Sequence, residues 1–369
     1  MSRKVKEPIK AEAVQGVKYF QVIEPILEKL RGSNEHFNRE LHYDKYILMY
    51  LLYYFNPIID SLRGLTEVSK FEKIQKALGI KRYSLSSLSE AGYVFDSKLL
   101  EPVVGELAGQ ALKLETDNRL KSIEQAIVAV DGTIIHALPK ILWALWLDKD
   151  HKAAKVHLEF DVIKHVPVWA EVTDGNANEK SILRGKLTRN KLYVMDAGYG
   201  QYRLFEEIRK VGSNFVCRLR DNAAWELIEE NRLTEADRLF GVQRDMTVHL
   251  GGGSTRGDLS APVRVIEVHH KGSSNRRLKV SSKTKIIRTD RQDYTMLLVT
   301  DRMDLSAETI ALIYKYRWQI ELFFRWFKCI MGFNHLLNQS RNGLSIQVYC
   351  ALIASMLITL WTGTKPTKR

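Results

Sequence analysis

Two short apolar runs, each ending in an aspartate, place the strongest limit on how this chain can fold. Residues 126–131 read AIVAVD, and residues 192–196 read LYVMD. Continuous apolar runs of this length are typical of strands buried on both faces, as in a parallel sheet. After them, QYRLFEEIRKVG at 201–212 predicts a helix that stops at a glycine, and NFVCRLR at 214–220 predicts another strand. This order indicates an α/β sheet with helices packed against it.

Two segments between these runs follow a different pattern. KVHLEFDVI at 155–163 and VPVWAEVTDG at 166–175 alternate between apolar and polar residues. Alternation of this kind predicts strands with one buried and one exposed face.

The region before the strands reads as helical. ILMYLLYYF precedes Pro57, and VSKFEKIQKAL precedes Gly79. Between Thr66 and Phe95 a helix, a turn, a basic pair and a serine-rich helix start are compatible with a helix-turn-helix motif. The motif is weakly defined, and a plain helical bundle is the stronger prediction.

The segment 221–300 interrupts the alternation of strands and helices. It predicts a short helix around Trp225, a GGGST loop at Gly251–Thr255 and several basic strands. We therefore expect a β-rich insertion with a cationic surface. Its basic side chains are Arg264, Lys271, Arg276, Arg277, Lys279, Lys283, Lys285 and Arg288.

The charge of the chain predicts its class of partner. A net charge of +13 and a pI near 9.4 indicate an anionic partner, for which nucleic acid is the usual candidate. A hydrophobic content of 45% over 369 residues is enough for a large core and for two or three domains.

The cysteines and the chain termini favour the cytoplasm. Cys217, Cys329 and Cys350 form no CxxC pair and have no histidine at zinc-ligand spacing. The first ten residues are charged and lack the apolar stretch of a secretion signal. The apolar run from Ser345 to Trp361 is short and interrupted by polar residues, so we expect a buried helix and no membrane contact.

Residues 314–328, YKYRWQIELFFRWFK, predict an amphipathic helix. At about 100° per residue, one stripe roughly 60° wide carries the polar residues. They are Tyr314, Arg317, Glu321 and Lys328. The opposite face is expected to pack on the core through Leu312, Ile313, Tyr316, Ile320, Phe323, Phe324 and Phe327.

The polar stripe suits a polyanion held beside a metal ion. Glu321 can bind a divalent cation, Arg317 can clamp a phosphate with its fork of donors, and Lys328 can neutralise another phosphate. The alternative is an ordinary surface helix with an Arg317–Glu321 ion pair.

Asp131 and Asp196 share one context, because each follows an apolar strand. If the two strands are parallel neighbours, their carboxylates lie at the same edge of the sheet, where ligands bind. Either aspartate alone is typical of a turn or a helix cap. Together with Glu321 they provide three carboxylates, enough to hold two Mg²⁺ ions about 3.5–4 Å apart.

Three motifs in order resemble those of a known family. They are AVDGT around Asp131, MDAGY around Asp196, and the spacing Tyr-x2-Arg-x3-Glu-x6-Lys that begins at Tyr314. Over residues 120–340 the chain resembles bacterial insertion-sequence transposases of the fourth insertion-sequence family, which are of the DDE type.

The resemblance implies an α/β, RNase H-like catalytic core with a β-rich insertion, preceded by a helical N-terminal domain. The implied domains are a helical, DNA-end-binding domain at 1–118, the core at 119–222 and 301–369, and the insertion at 223–300.

The resemblance also implies site residues and cofactors. Asp131, Asp196 and Glu321 would be the catalytic, metal-binding triad, with two Mg²⁺ ions that Mn²⁺ can replace. The implied DNA contacts are Tyr314, Arg317, Lys328 and Arg218. Trp225 and Tyr294 are candidates for stacking on a flipped base, although core packing is the stronger expectation for both.

The implied function is DNA transposition. The protein would bind the terminal inverted repeats of an insertion sequence and cleave and transfer strands, as a homodimer on paired ends of double-stranded DNA and in contact with target DNA. One alternative is a structure-specific nuclease on the same fold. Another is a truncated or domesticated protein that binds DNA ends without cutting, because the chain ends soon after Lys328.

Overall fold

The computed structural model describes most of the chain. The described residues are 9–32, 38–114, 117–136, 141, 143–146, 148–255, 257–270, 293–331 and 336–366. They divide into two compact units. The first unit contains Met1–Glu115, Asp131–Asn178 and Gln319–Arg369, and the second contains Thr116–Val130 and Glu179–Trp318.

The first unit begins with a group of helices, as the sequence predicts. They are α1 (Phe20–Leu27), α2 (Tyr43–Phe55), α3 (Leu62–Val68), α4 (Glu72–Leu78), α5 (Leu85–Val94) and α6 (Glu101–Gln110). Helix α2 is buried around nearly its whole circumference, because it carries apolar and aromatic residues on every face. It therefore forms the centre of this helical group.

Two later helices complete the first unit, α12 (Trp318–Met331), whose first residue is counted with the second unit, and α13 (Arg341–Thr362). Helix α13 packs against α2, α5, α6 and a strand of the same unit, and Tyr54 Oη donates a hydrogen bond of 2.9 Å to the Gln347 carbonyl. Among the described residues, α13 alone is long and apolar enough to cross a membrane. Since 89% of its apolar window is buried in the protein, the predicted buried helix is confirmed.

The strands of the first unit are β2 (Leu145–Trp146), β3 (Asp148–Asp161), β4 (Val166–Asp174) and the later part of β1. β3 and β4 pair antiparallel from Ala154↔Asp174 to Asp161↔Val166. The sequence predicts half-exposed strands here, but the residues of β3 from Val156 to Asp161 are all buried. The polar side chains of β3 therefore lie inside the protein.

Within its described residues, the second unit contains seven strands and five helices. The strands are the first part of β1 (Ala126–His136), β5 (Lys191–Met195), β6 (Asn214–Arg218), β7 (Trp225–Glu230), β8 (Val242–Leu250), β9 (Val263–His270) and β10 (Tyr294–Thr300). Five helices are assigned to the segments around them, α7 (Asn118–Lys121), α8 (Glu179–Arg184), α9 (Tyr202–Lys210), α10 (Glu235–Phe240) and α11 (Ala307–Tyr316). Of these, α7 is a single turn.

The strand order follows the predicted fold class. β1, β5 and β6 are parallel neighbours, and β10, β9, β8 and β7 continue this sheet with antiparallel pairs. On the other side of β1 the order is β3 and then β4. A mixed α/β sheet with a parallel centre and a β-rich extension confirms the predicted α/β class.

Two predictions about the insertion are wrong. Trp225 begins strand β7 and not a helix, because Trp225–Glu230 pairs along β8. Arg264 is not part of a cationic surface, since it is buried and its Nε donates a hydrogen bond of 3.1 Å to Asp245. The other basic residues predicted for this surface, from Lys271 to Arg288, lie outside the described residues.

Arg264 ties the insertion to the start of α11. Its Nη1 donates hydrogen bonds to the carbonyls of Arg302 and Leu305, and its Nη2 pairs with Asp245 of β8. Ser306 then caps α11 by accepting a hydrogen bond from the Thr309 N–H. The buried Arg264, paired with Asp245, therefore fixes the segment before α11, the helix in which the polar signature begins.

Candidate active site

Asp131 and Asp196 occupy matching places on neighbouring parallel strands. The β1–β5 register runs from Ala126↔Lys191 to Ala129↔Val194, and each aspartate follows its last paired residue by two positions. The residues before both aspartates are buried, whereas both aspartates are partly exposed. The predicted pair of parallel strands is confirmed.

One detail of that prediction is wrong. Strand β1 does not end at Asp131 but continues to His136. Beyond Asp131 the alternate residues Thr133 and Ile135 are buried, so the sequence changes from a continuous apolar run to alternation within one strand. Asp131 therefore lies where β1 leaves β5, and not at a strand end.

Asp196 is held by the turn that follows β5. Its Oδ1 accepts a hydrogen bond of 2.8 Å from the Gly198 N–H, which caps the short 3₁₀ turn Ala197–Tyr199. Its backbone carbonyl accepts a hydrogen bond of 3.2 Å from the Cys217 thiol, which lies on β6 in register with Met195. The backbone on both sides of this carboxylate is therefore anchored.

Cys217 connects Asp196 electrostatically with the polar signature. Burial raises the pKa of the Cys217 thiol well above its ordinary value, and the negative charge of Asp196 raises it further, whereas the positive charge of Arg317 opposes the shift. The thiol is consequently neutral. The charges of both Asp196 and Arg317 act on the buried Cys217 sulfur. These two residues therefore lie near each other in the second unit.

Tyr314, Arg317 and Arg218 also lie together in this unit. The Arg317 guanidinium is 5.6 Å from the centre of the Tyr314 ring. Burial raises the pKa of Tyr314, and the positive charges of Arg317 and Arg218 oppose that shift. Three of the four predicted DNA contacts are therefore gathered around the ends of β5 and β6 that carry Asp196 and Cys217.

Glu321 and Lys328 lie on α12, in the first unit. Glu321 is half-buried and Lys328 is exposed. Helix α12 packs through Ile320, Phe323, Phe324, Phe327, Ile330 and Met331, which agrees with the predicted apolar face. The helix thus holds its polar residues away from its packed side.

The signature helix differs from the prediction in two respects. It is divided, because α11 ends at Tyr316 and α12 begins at Trp318. At the junction the Arg317 N–H bonds to the Tyr314 carbonyl, a tighter turn than in an α-helix. Tyr314 is also buried and Tyr316 is only half-buried, which is the reverse of the faces predicted for these two residues.

An aromatic and basic group on β9 and β10 was not predicted as a unit. The Tyr294 ring stacks on His270 with 5.3 Å between ring centres. Burial lowers the pKa of His270, as do the positive charges of His269, Lys315 and Arg218. Lys315, whose charge acts on His270, directly follows Tyr314 of the signature. Its position is the sequence signal that indicates this aromatic and basic group.

The two aromatic candidates are not core residues. Tyr294 is exposed, so the expectation that it packs in the core is wrong. Trp225 is half-buried at the start of β7. Tyr294 is therefore the more accessible of the two.

The donor atoms match a hard divalent cation. Carboxylate oxygens are the ligands that such ions prefer, and Asp131 and Asp196 each follow the last residue of the β1–β5 register by two positions. Within the described parts of the chain, no three His, Cys, Asp or Glu side chains are close enough together to hold an ion. The residue types of Asp131, Asp196 and Glu321 suit a hard divalent cation.

A comparison with protein families identifies this chain. Residues 123–357 match the family model described as the transposase DDE domain. The chain belongs to this family. The match covers both aspartates and the whole polar signature, which confirms the resemblance to insertion-sequence transposases of the DDE type. DDE transposase domains generally use divalent metal ions.

Three similar proteins have names that describe them as transposases. The protein y4zB of Sinorhizobium fredii is 29% identical over 211 residues, 57% of this chain and 53% of that protein. The insertion sequence IS5377 protein of Geobacillus stearothermophilus is 24% identical over 297 residues, 78% of this chain and 70% of that protein. The IS4SA protein of Synechocystis is 23% identical over 259 residues, 68% of this chain and 65% of that protein. This DDE-domain chain spans about half the length of the first relative.

A solved structure overlaps the chain weakly. The cryo-EM structure of the piggyBac transposase synaptic complex with hairpin DNA covers 97% of this chain and 74% of its own, with a TM-score of 0.39 and 8% sequence identity. An overlap this weak establishes neither a shared fold nor a shared activity.

Proposed function

We propose that this protein is a DNA transposase that binds the terminal inverted repeats of an insertion sequence and catalyses phosphodiester cleavage and strand transfer. The observation that carries the proposal is the matched placement of Asp131 and Asp196 on parallel strands, in a chain of the transposase DDE domain family. Partly exposed carboxylates that lie just beyond the pairing of two parallel strands suit chemistry on a polyanion.

Asp131, Asp196 and Glu321 are the proposed catalytic triad and metal ligands. Two Mg²⁺ ions are the proposed cofactors, and Mn²⁺ would substitute for them. When held by these three carboxylates, such ions would supply activation of the attacking oxygen and stabilisation of the leaving oxygen. The turn at Gly198 fixes Asp196, and the packing of α12 orients Glu321.

Arg317, Arg218 and Lys328 are the proposed phosphate-binding residues. Arg317 presents a planar fork that matches phosphate oxygens, and the Tyr314 ring beneath it limits the positions of the guanidinium. Arg218 adds positive charge in the same place, as its effect on the pKa of Tyr314 indicates. Lys328, exposed on α12, would contact a phosphate farther along the strand.

The proposed domain roles follow the sequence segments. Residues 1–118 would bind the element ends, 119–222 and 301–369 would form the catalytic core, and 223–300 would form the insertion. The proposed partners are double-stranded DNA, at the transposon ends and at the target, and a second copy of the chain on paired ends. We place this activity in the cytoplasm.

The test is cleavage of a plasmid that carries the inverted repeats flanking the gene, by the wild-type protein and by Glu321→Gln, with Mg²⁺. We expect cuts at the element boundaries and joining of the released 3′-hydroxyl to target DNA by the wild type alone, while Glu321→Gln still binds the ends. Cuts without joining would favour a structure-specific nuclease. Binding without cuts by the wild type would favour a protein that only binds DNA ends.

A further inference from the structure

The helical part of the first unit contains a strongly basic pocket, far along the chain from the DDE motifs. This pocket, which we call the α2–α4 pocket, has a volume of about 450 Å³. Its basic lining consists of Arg31, Arg39, His42, Lys45 and Lys81. Among the described residues of its lining, Glu40 is the one acidic residue. A concave surface with this excess of cationic groups suits an anion.

The acidic neighbours leave most of this positive charge available. The Lys81 ammonium lies 3.5 Å from Glu40, and both of these side chains are largely exposed. The Lys45 ammonium lies 3.7 Å from Asp44, although the Lys45 side chain is only 16% exposed. Both separations exceed the 2.7–2.9 Å or so of a charge-assisted hydrogen bond, so these ammonium groups can still donate to a ligand.

Arg39 gives the most direct indication of a ligand. Its guanidinium lies 5.4 Å from the centre of the Phe95 ring, which limits its movement. Its Nη1 is buried and has no hydrogen-bond partner among the described residues. A buried, charged donor without an acceptor is unfavourable, and a bound oxyanion would supply that acceptor.

The helix that precedes Lys81 sets the shape of the pocket. Helix α4 ends at Gly79, which has a φ of +57° and also lines the pocket. This left-handed residue turns the chain so that Lys81 follows immediately at the pocket edge. The left-handed φ therefore disfavours a side chain at position 79.

A second cavity continues from the first. It also has a volume of about 450 Å³ and shares Asn38, Arg39, Glu40 and Tyr83 with the α2–α4 pocket. It extends to Arg82, to Ser84 at the start of α5, and to Glu90. Ser84 accepts a hydrogen bond from the Ser87 N–H and so caps the helix. Hydroxyl groups, arginines and helix starts are common phosphate contacts on nucleic acids. An elongated surface suits a chain of phosphates better than a single free ion.

We propose that the α2–α4 pocket binds a backbone phosphate of a DNA strand, and that the strand continues along the second cavity toward α5. This inference deepens the proposed function, on which it rests, by naming the surface of the N-terminal helices that holds the DNA. Arg39 and Lys45 bind the phosphate inside the pocket, and Lys81 binds it at the edge.

The test is fluorescence anisotropy of a labelled duplex carrying an element end, titrated with the full chain without divalent ions over a series of salt concentrations. The variants are Arg39→Gln, Lys45→Gln and Lys81→Gln. The matched control is Lys76→Gln, since Lys76 is an exposed lysine of α4 that lines neither cavity. Lys81 is also exposed, so its replacement leaves folding intact.

We expect each pocket variant to weaken binding roughly tenfold and to lower the slope of log affinity against log salt by about 0.9, with no change for Lys76→Gln. Equal slopes for Lys81→Gln and the wild type would overturn the proposal. So would loss of inorganic phosphate binding in the pocket variants with unchanged DNA binding, which would indicate a site for free phosphate.

The plasmid cleavage assay separates this proposal from the proposed function. Cleavage by the wild type together with unchanged DNA binding by the pocket variants would remove the pocket proposal alone. A pocket effect on DNA binding without any cleavage by the wild type would support the pocket and remove the proposed activity.

Discussion

The two halves of the Tyr-Arg-Glu-Lys signature lie in different surroundings. Tyr314 and Arg317 belong to the second compact unit, where Tyr314 is buried. The positive charge of Arg317 opposes the rise in the pKa of the buried Cys217 thiol. Glu321 and Lys328 belong to the first unit, on a helix that packs through its opposite face. A spacing that suits one face of a single helix therefore conceals two kinds of positioning. In the first half Tyr314 is itself buried, whereas in the second half the apolar neighbours of Glu321 and Lys328 on α12 are buried.

The largest expected effect concerns the support of the first half. Arg264→Leu leaves Asp245 buried without its partner, so we expect a loss of about 3–5 kcal/mol in the free energy of unfolding. Urea denaturation followed by circular dichroism measures this loss. The double variant Arg264→Leu/Asp245→Leu should recover most of the stability, because no buried charge then remains unpaired. A single variant as stable as the wild type would show that this ion pair does not hold the start of α11.

A loss of comparable size is expected for the support of the second half. Phe327 is fully buried on α12, so Phe327→Ala should cost about 3–5 kcal/mol in the free energy of unfolding. The adjacent Lys328→Ala removes an exposed side chain and should change stability by less than about 0.5 kcal/mol. Similar losses for both variants in urea denaturation would contradict the division of α12 into a packed and a polar face.

The acid sensitivity of the first unit should be smaller. His157 is buried on β3, with its Nε2 2.8 Å from the Thr173 hydroxyl. Burial lowers the pKa of His157 to about 4, and Lys155 adds to this shift while Asp174 opposes it. The unfolded chain then takes up the proton first, so stability is complete above pH 6.5 and falls as the pH drops from 6.5 toward 4.

The expected loss over this window is up to about 3 kcal/mol, at about 1.36 kcal/mol per pKa unit. Urea denaturation from pH 7 to pH 4 measures it. His157→Gln does not titrate and should flatten the dependence on pH, whereas an equally steep dependence in this variant would assign the effect to other groups.

The smallest expected effect concerns DNA binding by Arg317, in the first half of the Tyr-Arg-Glu-Lys signature. Arg317→Ala should weaken binding to element ends roughly tenfold and lower the salt slope by about 0.9, because one phosphate contact is lost. Lys210→Ala is a suitable control, since Lys210 is an exposed cation of the same unit, on α9. Fluorescence anisotropy at several salt concentrations measures both values. An unchanged slope for Arg317→Ala would mean that this arginine does not contact phosphate.

The buried strands and the packed helix face of the candidate site could be predicted from the sequence. Both apolar runs ahead of Asp131 and Asp196 became paired parallel strands, because strands buried on both faces need continuous apolar residues. The packing face of α12 followed from its helical periodicity.

Other features depend on tertiary contacts that no local pattern contains. The division of the signature helix at Arg317 has no glycine or proline to announce it. Arg264 resembles any basic residue of a surface strand until Asp245 is placed opposite it. The burial of the polar residues of β3, including His157, likewise depends on what covers that strand.

The measurement that tests the central claim most directly is the rate of single-turnover cleavage of an element-end duplex with Mg²⁺ by three separate variants. Asp131→Asn, Asp196→Asn and Glu321→Gln should each reduce the rate by at least about 10³-fold, while Glu235→Gln, an exposed glutamate of α10, should not. Wild-type cleavage by any one of the three variants would contradict the claim that these carboxylates act in one reaction.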